Sequence, residues 1–128
     1  VLKELGSNKV MIVHGFDGLD EITLSQNTYI CELKDKHIQN YNFDPRDIGY
    51  DYISLEDIKG GDPKYNAECF MKMINGKYDQ FQKIVEINAG AAVYLSGKAS
   101  SIKEGALIAQ KSITEGKTKN FISSITNE

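Results

Sequence analysis

The stretch that decides the fold is VMIVHGFDGLDE, residues 10–21. Its first four residues are apolar, which is typical of a strand covered on both faces, as in a parallel sheet with helices above and below. The chain then changes character, because Gly15 and Gly18 permit backbone angles closed to other residues. The carboxylates of Asp17, Asp20 and Glu21 follow within the next few positions. The stretch therefore predicts a buried strand that runs into an acidic loop.

The acidic loop is a candidate binding site because ligands of open α/β sheets collect where strands end and loops begin. Asp20 and Glu21 are adjacent, so they cannot face the same way on a regular strand or helix, but they can converge on a glycine-flanked loop. Two hard oxygen donors without a thiolate or a histidine cluster suit Mg²⁺ better than zinc. Mg²⁺ commonly fills the rest of its shell with water and substrate phosphate. The loop therefore predicts a magnesium and phosphate site, with a solvated surface loop as the alternative that spacing alone leaves open.

The loop also resembles a known family. His14-Gly15, one further residue, and then Asp-Gly-Leu-Asp-Glu-Ile is similar to the hallmark loop of the anthranilate phosphoribosyltransferases, the tryptophan-pathway members of the nucleoside phosphorylase-like phosphoribosyltransferases. Further similarities follow in family order at Gly60-Gly61-Asp62, at 88–94 and at 112–117. They span nearly all of this chain but only the C-terminal part of the family's length.

The fold that this resemblance implies is α/β. Residues 1–128 are expected to form a single piece, the C-terminal portion of a nucleoside phosphorylase/phosphoribosyltransferase-like domain. That portion has a mixed sheet with an antiparallel hairpin, followed by a helical C-terminal half.

The activity that the resemblance implies is transfer of a phosphoribosyl group from phosphoribosyl diphosphate to the amine of anthranilate, with release of diphosphate, in tryptophan biosynthesis. Asp20 and Glu21 match the acidic pair that holds Mg²⁺ in the family, and Gly15, Asp17 and Gly18 are expected to shape the loop. The family's glycine-rich diphosphate loop and its anthranilate-binding arginine lie earlier in the full-length enzyme, so this chain alone is expected to be inactive. Family members are homodimers joined through N-terminal helices, which also lie outside this chain.

Composition limits the alternatives. The chain has 128 residues, of which 41% are hydrophobic and 26% charged, as in a globular domain. No apolar run approaches membrane-spanning length and no signal peptide is recognisable, so a cytoplasmic protein is expected. The net charge of −3 and the lack of like-charge blocks argue against nucleic acid as the main partner.

Two other functions stay open at this point. One is a non-catalytic or nucleic-acid-binding relative of the same fold, which the acidic balance disfavours. The other is a sister enzyme such as a pyrimidine nucleoside phosphorylase, which the Asp-Gly-Leu-Asp-Glu loop disfavours.

The cysteines and histidines predict no second site. Cys31 and Cys69 lie on separate predicted elements without metal-ligand spacing, so they are expected to be buried free thiols in a reducing cytosol. His14 is expected to lie at the end of the first strand, hydrogen-bonded to its loop in support of the site, and not to act as a general base.

The rest of the N-terminal half is predicted to be short β elements. Residues 1–6 read as the tail of a helix, which makes the chain look cut from something longer. The runs 22–25, 28–33 and 38–43 are rich in β-formers, and the last two predict an antiparallel hairpin. Asp44-Pro45 should end this hairpin, because proline cannot supply a ladder N–H.

From Asp62 onward the period becomes that of helices. Four helices are predicted: one from a cap at Asp62 to Gly76, one ending at Gly97, one from a Ser101 and Glu104 capping box to Gly116, and a short amphipathic one after it.

Asn88 lies within the apolar stripe of the second predicted helix. An unpaired buried amide would cost about 1–3 kcal/mol, so Asn88 is expected to bond a neighbouring backbone and to brace the active-site region.

Overall fold

The structure is a computed structural model that describes residues 1–77 and 79–126. Its sheet consists of β1 (Val10–Gly15), β2 (Thr28–Lys34) and β3 (His37–Phe43), hydrogen-bonded in that order. Both pairs are antiparallel, with Gly15 opposite Thr28 and Thr28 opposite Phe43. Four helices follow: α1 (Pro63–Ile74), α2 (Gln80–Leu95), α3 (Ile102–Thr114) and α4 (Lys117–Thr126). The predicted hairpin and helical half are confirmed.

Strand β1 differs from its prediction in how it is covered. Met11 and Val13 pack against the core, whereas Ile12 on the opposite face is 56% exposed. Met11 and Val13 pack against a core cluster that includes helical residues such as Ile84 and Ile87, and Ile12 is not part of this cluster. The continuous apolar run predicted cover on both faces, and within this chain that expectation is wrong.

The run 22–25 is not a strand, which corrects the prediction of a third β element there. Ile22, Thr23 and Leu24 are only 1%, 0% and 0% exposed, so their apolar and β-branched character reflects burial. Their backbone groups bond to side chains and to a distant loop instead of to a strand. Only two of the three predicted β runs are therefore strands, and they form a hairpin whose first strand, β2, pairs with β1.

The hairpin turns through Asp35 and Lys36, whose φ angles of 50° and 64° both lie in the left-handed region. A two-residue connection of this kind matches the right-handed twist of the flanking strands. Strand β3 ends at Phe43, and the Asp44 side chain accepts from the Arg46 amide to begin a 3₁₀ turn at Pro45–Ile48. The predicted end of the hairpin at Asp44-Pro45 is confirmed.

The helix caps follow the sequence signals closely. The Asp62 carboxylate accepts from the Tyr65 amide at 2.8 Å, and Gly76 and Gly116 have left-handed φ angles beyond α1 and α3. Only half of the predicted capping box at α3 is present. Ser101 accepts from the Glu104 amide at 3.2 Å, but the Glu104 carboxylate accepts from the Ser100 amide, one residue before the expected position.

Helices α2 and α3 form the closest helix pair. A Cβ added to Gly90 would lie 2.6 Å from the Ala106 Cα, and one added to Gly105 would lie 2.9 Å from the Gly90 carbonyl carbon. The spacing of four apolar residues in the sequence predicts an inner face for α3, and all four are buried: Ile102, Ala106, Ala109 and Ile113. The glycines thus bring the two backbones into direct contact.

The buried face of α2 is more polar than predicted. Gln82 and Glu86 are 1% and 0% exposed, although neither belongs to the predicted apolar stripe. The apolar spacing in the sequence predicts a stripe from Phe81 to Leu95 that includes Ala92, but Ala92 is exposed. In α4, Phe121 and Ile125 are 63% and 57% exposed, so this helix is covered less than its amphipathic pattern suggests.

The N-terminal residues form one helical turn that ends as predicted. Gly6 has a φ of +89°, its amide donates to the Lys3 carbonyl, and the Ser7 amide donates to the Leu2 carbonyl. These are the paired bonds of a Schellman motif. No helix in the described ranges combines the length and the apolar character needed to cross a bilayer.

Candidate functional site

The acidic loop begins where β1 ends. The Gly15 amide donates to the Leu19 carbonyl at 2.8 Å, and the Gly18 amide donates to the Gly15 carbonyl at 2.9 Å. Gly18 has a φ of +96°, which favours glycine. A Cβ at Gly15 would collide with the Asp17 carboxylate and lie 3.1 Å from the Thr23 methyl carbon. Both glycines are therefore required by the shape of this loop.

Asp17 closes the loop from inside. Its carboxylate accepts from the Leu19 amide at 3.1 Å and from the hydroxyls of Thr23 and Ser25. Burial raises the pKa of Asp17, but the bonds from Ser25, Thr23 and Leu19 outweigh it and hold the pKa below its ordinary value of 3.8. Because these bonds use its oxygens, Asp17 fixes the loop and does not present a free carboxylate.

Asp20 and Glu21 differ from Asp17 in both exposure and bonding. Both are exposed. Within the described residues, neither carboxylate has a hydrogen-bond or ion-pair partner. Among the residues that the structure describes, no lysine forms an ion pair with either carboxylate, and neither is buried beneath the hairpin. The same residues contain no group of three or more His, Cys, Asp or Glu that could hold a metal ion, so protein ligands to a cation here would be limited to this pair.

A donor set of this kind fits Mg²⁺. This ion is commonly held by one or two carboxylates while water and substrate phosphate complete its octahedral shell. A structural zinc site would instead need about four protein ligands rich in cysteine or histidine. The adjacent carboxylates are therefore suited to a magnesium ion shared with a bound phosphate.

Asn88 makes the backbone hydrogen bonds that its position on α2 predicted. Its Oδ1 accepts from the Ile22 amide at 2.9 Å, and its Nδ2 donates to the carbonyls of Ile22 at 2.9 Å and Ile84 at 3.0 Å. One side chain thus satisfies both backbone groups of Ile22, the residue that follows Glu21. The residue that follows the acidic pair is therefore bonded directly to α2.

Two more elements support the buried residues beneath the acidic pair. The Thr23 amide donates to the Thr28 hydroxyl at 3.0 Å, which ties the loop to β2. The Ile53 amide donates to the Leu24 carbonyl at 2.9 Å. The segment 50–53 also touches the loop through the Tyr52 hydroxyl, which donates to Asn27 Oδ1 at 2.7 Å. Sequence reasoning missed Thr23, Ser25 and this segment. The only local signal for the first two was a pair of hydroxyl residues two positions apart, shortly after Asp17.

His14 is placed correctly but bonded differently from the prediction. It lies on β1 opposite Tyr29 and is exposed. In the part of the chain that the structure describes, its ring makes no hydrogen bond to the acidic loop, so that expectation is wrong. Cys31 and Cys69 are free, as predicted, but both are partly exposed and not buried.

Comparison with known proteins identifies the family of this chain. The model of the family described as "Glycosyl transferase family, a/b domain" matches residues 1–119, and the chain belongs to this family. More particularly, it is similar to anthranilate phosphoribosyltransferases. It is 48% identical over 105 residues to that enzyme from Clostridium beijerinckii, covering 82% of this chain and 31% of the relative. The resemblance predicted from the acidic loop is confirmed.

Solved structures of the same enzymes share the fold. The anthranilate phosphoribosyltransferase of Thermus thermophilus gives a TM-score of 0.85 at 29% identity, covering 96% of this chain and 36% of that one. A variant of the Saccharomyces cerevisiae enzyme with Mg bound gives 0.82 at 26% identity, covering 99% and 38%. The yeast enzyme in complex with 4-fluoroanthranilate gives 0.83 at 25% identity, with the same coverage. The chain spans about a third of the length of the curated relatives it matches.

Proposed function

We propose that this chain is the C-terminal part of the α/β domain of an anthranilate phosphoribosyltransferase, and that Asp20 and Glu21 hold the Mg²⁺ that binds phosphoribosyl diphosphate. The observation that carries the proposal is a pair of exposed carboxylates on a loop bonded to β2, α2 and the segment 50–53. Over 1–77 and 79–126, neither carboxylate has a hydrogen-bond or ion-pair partner. The names of the relatives and the magnesium bound to the yeast enzyme support it.

The reaction explains why such a pair is useful. The anthranilate nitrogen attacks the anomeric carbon of the ribose while the bond from that carbon to the diphosphate oxygen breaks. The departing diphosphate gathers negative charge, and Mg²⁺, when bound, supplies the Lewis acidity that neutralises it. Asp20 and Glu21 contribute hard oxygen ligands and take no part as nucleophiles.

The neighbouring residues keep those ligands in place. Asp17 ties residues 19, 23 and 25 into one loop, and Gly15 and Gly18 give the backbone room to turn. Asn88 holds Ile22 immediately after the acidic pair. Small displacements of metal ligands reduce catalysis, so this support is a functional requirement and not only a source of stability.

Other parts of the active site are proposed to lie in the portion of the relatives that this chain does not match. These are the glycine-rich diphosphate loop, the anthranilate-contacting residues and the N-terminal helices of a homodimer. We infer that the chain alone is inactive.

The yeast complex with 4-fluoroanthranilate supports anthranilate as the acceptor of the full-length enzyme. Two free cysteines on different elements are consistent with a cytoplasmic, reducing environment.

The proposal is tested by exchanging the corresponding third of the Thermus thermophilus enzyme for this chain and assaying phosphoribosyl transfer. Asp20→Asn with Glu21→Gln should lower kcat/KM by about 100-fold, which corresponds to about 2.7 kcal/mol of lost transition-state stabilisation. It should also raise the Mg²⁺ concentration needed for half-maximal rate.

A matched control carries the same charge change elsewhere. Asp35→Asn with Glu68→Gln removes two exposed carboxylates, one in the hairpin turn at the end of β2 away from the loop and one on α1, and should leave both parameters unchanged. In the 128-residue chain itself, Mn²⁺ with diphosphate should broaden the amide NMR signals around residue 20, and the double variant at 20 and 21 should abolish this. An unaltered magnesium requirement in the chimera would remove Asp20 and Glu21 from the site.

A further inference from the structure

Glu86 is a buried carboxylate that the proposed site does not use. It is 0% exposed on α2, and three neutral groups donate to it: the Gln82 amide at 2.7 Å, the Tyr50 hydroxyl at 3.1 Å and the Gln110 amide at 3.3 Å. Within the described residues, no lysine or arginine forms an ion pair with it. Its three donors come from α2, α3 and the segment 50–53, so Glu86 joins three parts of the fold.

A carboxylate at this buried position lowers the stability of the core unless its oxygens are hydrogen-bonded. Burying a charge without a cation is unfavourable unless hydrogen bonds compensate. Among the described residues, the Oε1 atom of its donor Gln82 is itself buried without a hydrogen-bond partner, which adds to the cost of this polar cluster. An apolar side chain would remove the acidic group but leave the Gln82, Tyr50 and Gln110 donors without this acceptor. Glu86 therefore fixes three donors from different parts of the fold, which an apolar side chain could not do.

The segment 50–53 links Glu86 to the acidic loop. Its first residue, Tyr50, bonds to Glu86, while its last, Ile53, donates to the Leu24 carbonyl at 2.9 Å. Between them, Tyr52 bonds to Asn27 at 2.7 Å. The segment contains no helix or strand, so its own backbone does not fix its position. These side-chain and loop bonds hold it against α2 on one side and the loop on the other.

We propose that Glu86 is a positioning residue for the acidic loop: through the Tyr50 hydroxyl it fixes the segment 50–53, which in turn fixes residues 24 and 27 at the base of the loop. The proposal rests on the function proposed for Asp20 and Glu21, since it assigns Glu86 to keeping that pair in register. Glu86 does not touch substrate or metal. Asn88 bonds directly to the start of the buried run at Ile22, whereas Glu86 acts on its end at Leu24 through Tyr50 and Ile53.

The experiment breaks the hydrogen bond between Tyr50 and Glu86 by changing either partner. Tyr50→Phe and Glu86→Leu are compared with the unaltered chain by amide hydrogen exchange. The Ile53 amide should exchange about tenfold faster relative to the Ala109 amide in the core of α3. Tenfold is the factor that about 1.4 kcal/mol produces, the size expected for one hydrogen bond. The ratio to Ala109 separates local release from a general loss of stability.

Metal affinity provides a second readout. With diphosphate present, each variant should weaken Mn²⁺ binding at the loop about three- to tenfold. The double variant should bind Mn²⁺ no more weakly than either single variant, because both substitutions break the same hydrogen bond between Tyr50 and Glu86. Glu86→Gln keeps an oxygen that accepts from Tyr50 and should restore most of the affinity; it also serves if Glu86→Leu fails to fold.

The control is Tyr41→Phe. The Tyr41 hydroxyl donates to Glu32 at 3.0 Å on the sheet, so its removal deletes the same kind of bond without touching the segment 50–53. It should lower the thermal midpoint and leave the exchange ratio and the Mn²⁺ affinity unchanged. The proposal is wrong if Tyr50→Phe leaves the exchange ratio of Ile53 at its original value, or if Tyr41→Phe changes it equally. If the unaltered chain binds no Mn²⁺ at the loop, the metal assignment fails, and the exchange ratio still decides the role of Glu86.

Discussion

Replacing Gly105 by alanine should push helices α2 and α3 apart. The added Cβ would lie 2.9 Å from the Gly90 carbonyl carbon and closer still to its oxygen, whereas ordinary contact begins at 3.4 Å. The helices must therefore separate by at least the difference, 0.5 Å. The obstacle is a backbone carbonyl inside a helix, so no side-chain rotation can relieve the clash.

The expected cost follows from this separation. A gap of about 0.5–1 Å forfeits a quarter to a half of each dispersion contact, and overpacking of a core costs about 1–3 kcal/mol. Alanine recovers about 1 kcal/mol through its better helix propensity. Because the clash involves the backbone of both helices, we take the upper end of the overpacking cost. We expect the free energy of unfolding to fall by about 2 kcal/mol in total. For a chain of this length that lowers the thermal midpoint by roughly 7 °C.

Urea and thermal unfolding followed by circular dichroism measure this loss directly. Gly60→Ala is the matched control, since Gly60 is exposed and its added Cβ would meet only the flexible Asn66 side chain at 3.3 Å. It should change the free energy of unfolding by no more than about 0.5 kcal/mol. A Gly105→Ala protein as stable as the Gly60→Ala control would show that close backbone contact does not determine how these helices pack.

Two further predictions concern the loop. Asn88→Ala removes three hydrogen bonds and leaves both backbone groups of the 1% exposed Ile22 unpaired, so it should lower the free energy of unfolding by about 3 kcal/mol in urea titrations. Asn120→Ala, at an exposed helical position, should cost less than about 0.5 kcal/mol, and equal losses would contradict the bracing role. For Asp17, the folded-state pKa lies below the ordinary 3.8, so its contribution to stability is present above that pH and is lost as the pH falls through the folded value. Urea unfolding between about pH 2 and 6 should therefore show the stability difference between the original protein and Asp17→Asn shrinking below about pH 4, and a constant difference would refute this.

Local signals in the sequence predicted the parts of the fold that local interactions determine. The helix beginning at Asp62, the glycine ends of the helices and the hairpin ending at Asp44-Pro45 depend on residues within a few positions of each other. Caps and turns are set by nearby side chains and by allowed backbone angles, so the sequence carries their signature directly. The acidic loop was recognisable for the same reason, together with its family resemblance.

The predictions from the sequence were wrong or incomplete where residues distant in the chain determine the structure. Residues 22–25 have the composition of a strand, but Asn88 and Ile53 bond their backbone, and nothing near them in sequence shows this. Glu86 was missed because a charged residue predicts a solvated face, and only the approach of Tyr50 and Gln110 makes its burial possible. Periodicity identifies an apolar face but does not identify which polar residues the core accepts.

The bond between Ile22 and Asn88 spans 66 residues, whereas the hairpin closes through Asp35 and Lys36 alone. Closing a long stretch of chain costs entropy before the contact returns any stabilisation, so short-range elements form first. During synthesis on the ribosome, all the strands and both acidic ligands emerge well before the asparagine that holds them. The loop therefore reaches its final conformation only after α2 has packed against the sheet. A nascent chain that ends before this helix contains Asp20 and Glu21 but lacks Asn88, which holds the residue next to them.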